Sequence, residues 1–208
     1  MNGLLLISLG VAFLVAGPQA STVRAQGIDY ASPAIRGKVV AAETGQPLAG
    51  VSVLAWWRDT REPDSLLFAR TIRAVEVESG RDGTFMVEAW QAKALRAPVS
   101  KDSPRLIFFV AGREPAHSSG GQPKSDDRSV EIRMRADGRV AQERARKITE
   151  LLNTLLHVWA PLREQPTPRM LTALDAEWQT LPAELRKETP VLTRWFEWAL
   201  KELRAGGG

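Results

Sequence analysis

Residues 35–53 read IRGKVVAAETGQPLAGVSV, and this stretch decides the predicted fold. Apolar or small residues alternate with polar ones at its start, and the alternation resumes at Val51 and Val53. A period of two is typical of strands that bury one face. Gly45 and Pro47 favour a turn between them, because glycine tolerates positive φ and proline fixes its own φ. The stretch therefore predicts two strands joined by a tight connection.

The same period continues as far as Arg135. Three further segments carry an inward-facing apolar or small residue at every second position. These residues are Val75 and Val77, then Phe85, Val87 and Ala89, then Val130, Ile132 and Met134. Leu106 to Ala111 is apolar on both faces, and Arg81-Asp-Gly83 predicts a hairpin turn. About six or seven short strands with no helical period among them predict an antiparallel β-sandwich.

Three blocks of this region resemble the carboxypeptidase regulatory-like domain family. They are Gly37-Lys-Val-Val40, Thr44-Gly-Gln-Pro-Leu-Ala-Gly-Val-Ser-Val53 and Asp82-Gly-Thr-Phe85. The resemblance covers about residues 35–135, roughly half of the chain. It implies a transthyretin-like sandwich of about seven strands. It also implies a non-catalytic accessory or binding module, and it names no ligand.

Three positions depart from the family pattern. Ala41 stands where the family has an acidic residue, and Ser79-Gly80 stands where it has a Thr-Asp pair. Arg113 occupies a position where an aromatic residue is common. These departures argue against a calcium-like or turn-specific role at those positions, and they leave the predicted fold unchanged.

From Gly138 onward the hydrophobic period becomes 3.6, which predicts helices. The first apolar face comprises Ala141, Ala145, Ile148, Leu152, Leu155 and Trp159, before Pro161. Two Thr-Pro pairs, at Thr167 and Thr189, mark later helix starts, and Leu181-Pro182 opens a short helical turn. The later apolar faces are Leu171, Leu174 and Trp178, then Leu192, Trp195 or Phe196, Ala199 and Leu203. The predicted fold class is α+β: an antiparallel transthyretin-like β-sandwich followed by a C-terminal three-helix segment.

Six outward-facing positions of the predicted strands are apolar where a solvated sheet would be polar. They are Leu54, Trp56, Met86, Trp90, Ile107 and Phe109. Such a patch is covered by another part of the chain or by a ligand. We expect the helices to cover it, because residues 138–208 alone would bury too little surface. The candidate interaction surface is Trp56, Trp90 and Phe109, and the indoles, including that of Trp57, could stack on sugar rings.

Residues 1–25 have the pattern of a signal peptide. Leu4 to Ala16 is an uncharged apolar run, shorter than the about 20 residues of a membrane-spanning helix. Gly17-Pro18 ends the run, and Val23-Arg-Ala25 places small residues before a cleavage site. We expect export with cleavage after Ala25. Retention as an anchor is the alternative, because the first three residues carry no Lys or Arg.

Composition restricts the classes of function. The chain has 208 residues with no cysteine, two histidines and one tyrosine. It therefore has no disulfide, no thiol nucleophile and few metal ligands. An exported chain without disulfides suits the periplasm or cell surface of a bacterium. Its 28 basic and 24 acidic residues are interleaved, so no basic stripe predicts nucleic-acid binding.

The residue patterns of three related enzyme classes do not fit. Neither His117 nor His157 is followed three residues later by glutamate, as a zinc carboxypeptidase requires. The single tyrosine, Tyr30, cannot supply the two that the iron of an intradiol dioxygenase needs. Hydroxyisourate hydrolases use a C-terminal serine, whereas this chain ends in three glycines. We predict no enzymatic activity, no cofactor and no metal.

The predicted protein is an exported, non-catalytic envelope or periplasmic module that contacts an unknown protein or glycan. It has no stable transmembrane span after cleavage of the signal. A carbohydrate-binding module that uses exposed tryptophans is the main alternative, and a hydrolase assembled from converging carboxylates is another. The predicted organisation is a signal peptide (1–25), a linker (26–34), the sandwich (35–137), an α-helical subdomain (138–205) and a glycine tail (206–208).

Overall fold

The computed structural model describes most of the chain between residues 27 and 187. The described residues are 27–59, 71–95, 98–100, 104–119, 129–159 and 168–187, with residues 194, 197, 198 and 201. The predicted signal peptide and its cleavage site, the glycine tail and most of the predicted last helix lie outside them.

Nine strands precede three helices along the described chain. The strands are β1 (Ile28–Ser32), β2 (Ile35–Ala41), β3 (Ser52–Arg58), β4 (Thr71–Glu78), β5 (Thr84–Val87), β6 (Trp90–Leu95), β7 (Arg105–Phe109), β8 (Ala116–Ser119) and β9 (Ser129–Met134). The helices are α1 (Ala141–Trp159), α2 (Pro168–Gln179) and α3 (Ala183–Lys187). The α+β class, with sheets followed by a helical segment, is confirmed.

The strands form three hydrogen-bonded sheets, ordered β4-β3-β7-β8, β5-β2-β9 and β1-β6. All pairs are antiparallel except β2 with β9, which run parallel. The predicted antiparallel character therefore holds for most pairs, and the β2–β9 pair departs from it. Alternation reports which face of a strand is buried, and it carries no information about the direction of the neighbouring strand.

The predicted linker at residues 26–34 was wrong, because it contains β1. This strand pairs with β6, from Ile28 opposite Leu95 to Ser32 opposite Trp90. Only Ser32 is fully buried along it, while the other four residues are exposed or half-buried. A short strand with one buried side chain has too weak an alternation to be detected from sequence.

Inward-facing side chains of the sheets form the core of the sandwich. This core contains Ile35, Val39, Val51, Val53, Ala55, Trp57, Phe85, Val87, Leu106, Phe108 and Met134, each at most 5% exposed. Val75, Val77, Val130 and Ile132 pack against it half-buried. The inward face predicted from the period of two is confirmed for these residues, whereas Ala89, also predicted to face inward, is exposed between β5 and β6.

The three blocks that carry the family resemblance meet around β2. A Cβ on Gly37 would lie 2.4 Å from the ring of Phe85, so only glycine fits beneath that ring. Gly83 has a φ of 77°, and its carbonyl accepts a hydrogen bond of 2.9 Å from the Val39 N–H. The Val39 carbonyl in turn accepts the Leu48 N–H at 2.9 Å. These motif residues build the fold, since they are used in packing and backbone pairing.

Ser79 fixes the turn between β2 and β3 from the opposite strand. Its hydroxyl donates to the Leu48 carbonyl at 2.7 Å and accepts the Val51 N–H at 2.9 Å. The side chain is buried, the hydrogen bond to Val51 is shielded from water and the one to Leu48 is partly shielded. This departure from the family pattern is thus compatible with a closed turn.

Candidate interaction surface

The helices cover the outward face of the four-stranded sheet, as the sequence predicted. Leu54, Trp56, Ile107 and Phe109 are each at most 5% exposed. They belong to a second apolar cluster, which also contains buried residues of α1 and α2 and Leu181, which follows α2. The helix residues are Ala145, Ile148, Leu151, Leu152, Leu155, Val158, Met170, Leu171, Leu174 and Trp178. The central strands β3 and β7 are therefore buried on both sides, against the sandwich core on one and against helices on the other.

A carboxylate on the sheet positions the start of α2. Glu76 lies opposite Leu54 in the β3–β4 pair, on the face that the helices cover. Its side-chain oxygen accepts the Met170 N–H at 2.8 Å. An acceptor at a helix N-terminus satisfies one of its free N–H groups and interacts favourably with the helix dipole. Arg169, the neighbouring residue, lies 3.7 Å from Glu78.

A largely buried ion network joins the helices to the end of the sandwich. Arg139 donates two hydrogen bonds to Asp137, at 2.8 and 2.7 Å, and these hold the pKa of Asp137 below its ordinary value. Arg144 of α1 lies 3.7 Å from Asp137 and also donates to Glu177 of α2. Glu177 is 5% exposed, and its second oxygen accepts the Gly112 N–H at 3.2 Å. One carboxylate thus links both long helices to the loop that follows β7.

Arg113, another departure from the family pattern, belongs to a second ion pair near this junction. Its guanidinium lies 2.7 Å from Glu43 and also donates to the Met134 carbonyl at 3.3 Å. Glu43 accepts the backbone N–H of Ala136 as well. The Ala136 N–H is the largest cause that lowers the pKa of Glu43 to about 2, and hydrogen bonds from the Glu43 backbone and from Arg113 add to it. An aromatic residue at position 113 could not make these contacts.

Two of the three candidate contact residues are buried, which corrects the prediction that they form an exposed surface. Trp56 is 5% exposed and Phe109 is 2% exposed, both beneath the helices. Trp57 is fully buried in the sandwich core. A side chain in a packed apolar cluster cannot stack on a sugar ring, so these residues do not form a glycan platform.

Trp90 packs on the sandwich core and does not extend the outward patch. Its ring centroid lies 5.2 Å from those of Tyr30 and Trp57, and the Arg73 guanidinium lies 5.3 Å from it. The prediction assumed that the alternation of β5 continues to position 90. The structure breaks it at residues 88 and 89, and Trp90 begins β6, which pairs with β1. Of the six predicted outward positions, Met86 stays well exposed, at 48%.

An exposed aromatic residue lies in the part of the chain that follows α3. Trp198 is 52% exposed, and Arg194, Glu197 and Lys201 are helical and exposed with it. The spacing of these four residues places them on one face of a helix. Sequence reasoning located this helix through its apolar positions and missed Trp198, because the residue lies among charges. A large aromatic side chain on an otherwise charged face was the available signal.

An open cleft of about 490 Å³ lies between α1 and α3. Val140, Ala145, Thr149 and Leu185 line it, together with the charged side chains of Glu143 and Arg146. Val140, at the edge of the cleft, is 71% exposed. The cleft is a second place where this helical layer offers apolar surface to solvent.

The two histidines lie near or on α1, one on strand β8 and the other on the helix itself. His117 of β8 lies opposite Ile107, and partial desolvation, with the charge of Lys147 on α1, lowers its pKa. The Nδ1 of His157 lies 2.6 Å from the Asn153 carbonyl. Among the residues that the structure describes, no group of three His, Cys, Asp or Glu side chains could hold a metal ion. None of the described helices is long and apolar enough to cross a membrane.

Comparison with known proteins gives no family. No family model matches the chain, and no curated protein matches it. Among solved structures, a streptococcal ancillary pilin is similar at 16% identity and a TM-score of 0.31, over 51% of this chain and 30% of that one. Hydroxyquinol 1,2-dioxygenase from Pseudomonas putida is similar at 13% identity and a TM-score of 0.31, over 54% of this chain and 58% of the enzyme.

3-Chlorocatechol 1,2-dioxygenase from Rhodococcus opacus gives 15% identity and a TM-score of 0.30, over 53% of this chain and 63% of that one. The chain therefore spans less than two thirds of the length of each of these three proteins. Similarities at this level assign neither a family nor an activity.

Proposed function

We propose that this protein is an exported, non-catalytic module of the bacterial envelope that acts by binding another protein. The exposed face of Arg194, Glu197, Trp198 and Lys201 carries this proposal. Tryptophan and arginine are enriched among the residues that dominate protein–protein binding energy. The mixed charges around the indole suit a protein partner, since an anionic lipid surface would favour a basic face.

The sandwich serves as the scaffold of this module. Gly37, Phe85 and Gly83, which carry the family resemblance, are used for packing and turn formation. The apolar sheet face that could have bound a ligand is buried beneath α1 and α2. The helical layer is therefore the part of the described chain that meets a partner, which is the arrangement expected of an accessory domain.

The acidic groups at the junction support a structural role. Asp137 and Glu177 both lie near Arg144, which brings two carboxylates to one place. Both are engaged, since Asp137 accepts two hydrogen bonds from Arg139 and Glu177 accepts the Gly112 N–H. A general acid or base needs a carboxylate that can exchange a proton with substrate. These carboxylates instead hold the helices on the sandwich.

Photo-crosslinking from position 198 tests the proposed contact. A photoreactive amino acid at 198 in the full chain, produced in its own cell envelope, should crosslink to one defined protein. The same group at Met86, which is also exposed but lies on β5, is the matched control and should give no such product. With the purified partner, Trp198→Ala should weaken binding at least about tenfold, as is typical of an interface hot spot.

Two results would contradict the proposal. If the partner binds the Trp198→Ala variant with unchanged affinity, the indole does not contribute to the interface. Saturable quenching of tryptophan fluorescence by a member of a glycan panel, with no crosslinked protein, would instead support a sugar-binding module. Export is tested separately, because the mature chain should begin at Gln26, and an intact Met1 on envelope material would contradict cleavage.

A further inference from the structure

We propose that the cleft between α1 and α3 receives a segment of a partner protein that carries a basic side chain beside an apolar one. The apolar side chain packs on Val140, Ala145 and Leu185, and the basic group pairs with Glu143. The inference rests on the proposed function, because it takes the partner to be a protein. It adds a second contact site and the chemistry that this site recognises.

The cleft has the size and the apolar wall of a binding site. Its volume of about 490 Å³ falls within the range of roughly 300–1,000 Å³ that is typical of ligand sites. Ala145 is 9% exposed and belongs to the apolar cluster beneath the helices, and Leu185 packs half-buried against that cluster. Apolar surface that adjoins a packed core and meets solvent stabilises a complex when a partner covers it.

The polar side chains of the cleft are available to a ligand. Gln142, Glu143 and Thr149 line it, and none of the three forms a hydrogen bond or a close ion pair with the part of the chain that the structure describes. Lys147 and Thr154, elsewhere on α1, instead donate hydrogen bonds of 2.8 and 2.9 Å within the helix. A few free polar groups beside an apolar wall are what fixes the orientation of a bound ligand.

The charges of the lining favour a basic ligand. Arg146 is engaged, because it donates to Glu150 at 2.9 Å. Glu143 interacts at longer range with Arg139, and that guanidinium already donates two hydrogen bonds to Asp137. The carboxylate of Glu143 is therefore the charge of the described lining that lacks a close partner. A basic group is complementary to it.

The open rim favours a protein segment over a small molecule. Val140 is 71% exposed, and Glu143 and Arg146 are exposed beside it. A site for a small molecule encloses most of the ligand's surface, which this rim does not do. A protein segment can cover the rim and supply the apolar and the basic group from one chain.

Photo-crosslinking from position 149 locates the occupant. A photoreactive amino acid at Thr149, in the full chain produced in its own cell envelope, should crosslink to a partner segment with Lys or Arg beside an apolar residue. Thr172 is the matched control, because it is an exposed threonine of α2 outside the cleft. The same group at Thr172 should not give this product.

A charge reversal decides whether Glu143 recognises that segment. Glu143→Lys should weaken binding of a synthetic peptide of the crosslinked segment at least about tenfold. Replacing the peptide's basic residue with glutamate should restore binding to the Glu143→Lys chain. Glu184→Lys is the control, because Glu184 is also an exposed glutamate in the first turn of a helix and lies outside the cleft lining. A role limited to the helix dipole would make the two variants behave alike.

Four outcomes would overturn the proposal. They are no crosslink from position 149, a crosslink within the chain itself or to a second copy, equal effects of Glu143→Lys and Glu184→Lys, and no recovery with the reversed peptide. A crosslink within the chain or to a second copy would assign the cleft to that occupant. A partner that crosslinks from 198 and not from 149 would overturn this inference and leave the proposed function standing.

Discussion

In the four-stranded sheet, both faces of the central strands β3 and β7 are buried, but different kinds of neighbour bury them. Val53, Ala55 and Phe108 point into the sandwich, where β-strands supply the opposing side chains. Leu54, Ile107 and their neighbours on the other face pack against α1 and α2. All seven residues of β3 are consequently buried. A strand that is apolar on both faces therefore indicates a third layer as well as a sheet.

The two faces also differ in how polar groups secure them. The helix-covered face is bordered by Glu76, which accepts the Met170 N–H, and by Glu177, which binds Arg144 and the Gly112 N–H. The inward core is made of apolar residues at its centre. We therefore expect the helical layer to respond to charge and pH, and the sandwich core to respond mainly to changes in volume.

The largest expected effect comes from truncating adjacent aromatic residues on the two faces. Phe108→Ala and Phe109→Ala should each lower the free energy of unfolding by about 3–5 kcal/mol, because both rings are at most 2% exposed. Denaturant unfolding with far-ultraviolet circular dichroism measures both. For Phe109→Ala the helical signal should be lost first. A loss below about 1 kcal/mol for Phe109→Ala would mean that the outward face is not packed.

Removal of the buried carboxylate at the junction should have the next largest effect. Glu177→Gln removes the carboxylate that pairs with Arg144 from α2 and weakens the acceptor of the Gly112 N–H, while Asp137 stays near Arg144. We expect a loss of about 1–3 kcal/mol in the free energy of unfolding. Glu150→Gln is the matched control, because Glu150 forms exposed pairs on α1 and should change stability by less than about 0.5 kcal/mol. Equal losses of stability for Glu177→Gln and Glu150→Gln would show that Glu177 does not stabilise the junction.

The effect of pH on the free energy of unfolding should be smaller than the effects of these substitutions, and it should arise at the junction between the helices and the sandwich. The folded pKa values of Glu43, at about 2, and of Asp137 lie below their unfolded values. Lowered pKa values stabilise the fold above the unfolded pKa, and that contribution is lost as the pH falls through the folded pKa. The denaturation midpoint should thus decrease from about pH 5 toward pH 2. Asp137→Asn should flatten this decrease, whereas Glu184→Gln should leave it unchanged, and the opposite ranking would contradict the account.

Much of the fold could be predicted because burial leaves periodic marks in the sequence. The period of two located the inward residues, and the period of 3.6 located the covering face of α1, for example Ile148 and Leu152. The apolar residues on the back of β3 and β7 also predicted that helices cover them. Strand direction leaves no such mark, so the parallel pairing of β2 with β9 required coordinates.

The candidate surface was harder to predict than the fold. Exposed and buried tryptophans look alike in sequence, so Trp56 was assigned to a surface that the helices cover. Trp90 was misplaced because the alternation breaks between β5 and β6. The role of Glu177 depends on a backbone N–H 65 positions away, at Gly112. Contacts of this range depend on how the layers dock, which a local pattern does not encode.

The most direct test of the covered sheet face is the accessibility of a thiol at position 107. Ile107 is fully buried between the sheet and the helices, whereas Met86 is 48% exposed on β5. In the native full chain, the Ile107→Cys thiol should stay unreactive toward a maleimide until the protein unfolds, and the Met86→Cys thiol should react at once. Equal, rapid labelling of both thiols in a folded chain would show that the helices do not cover the sheet.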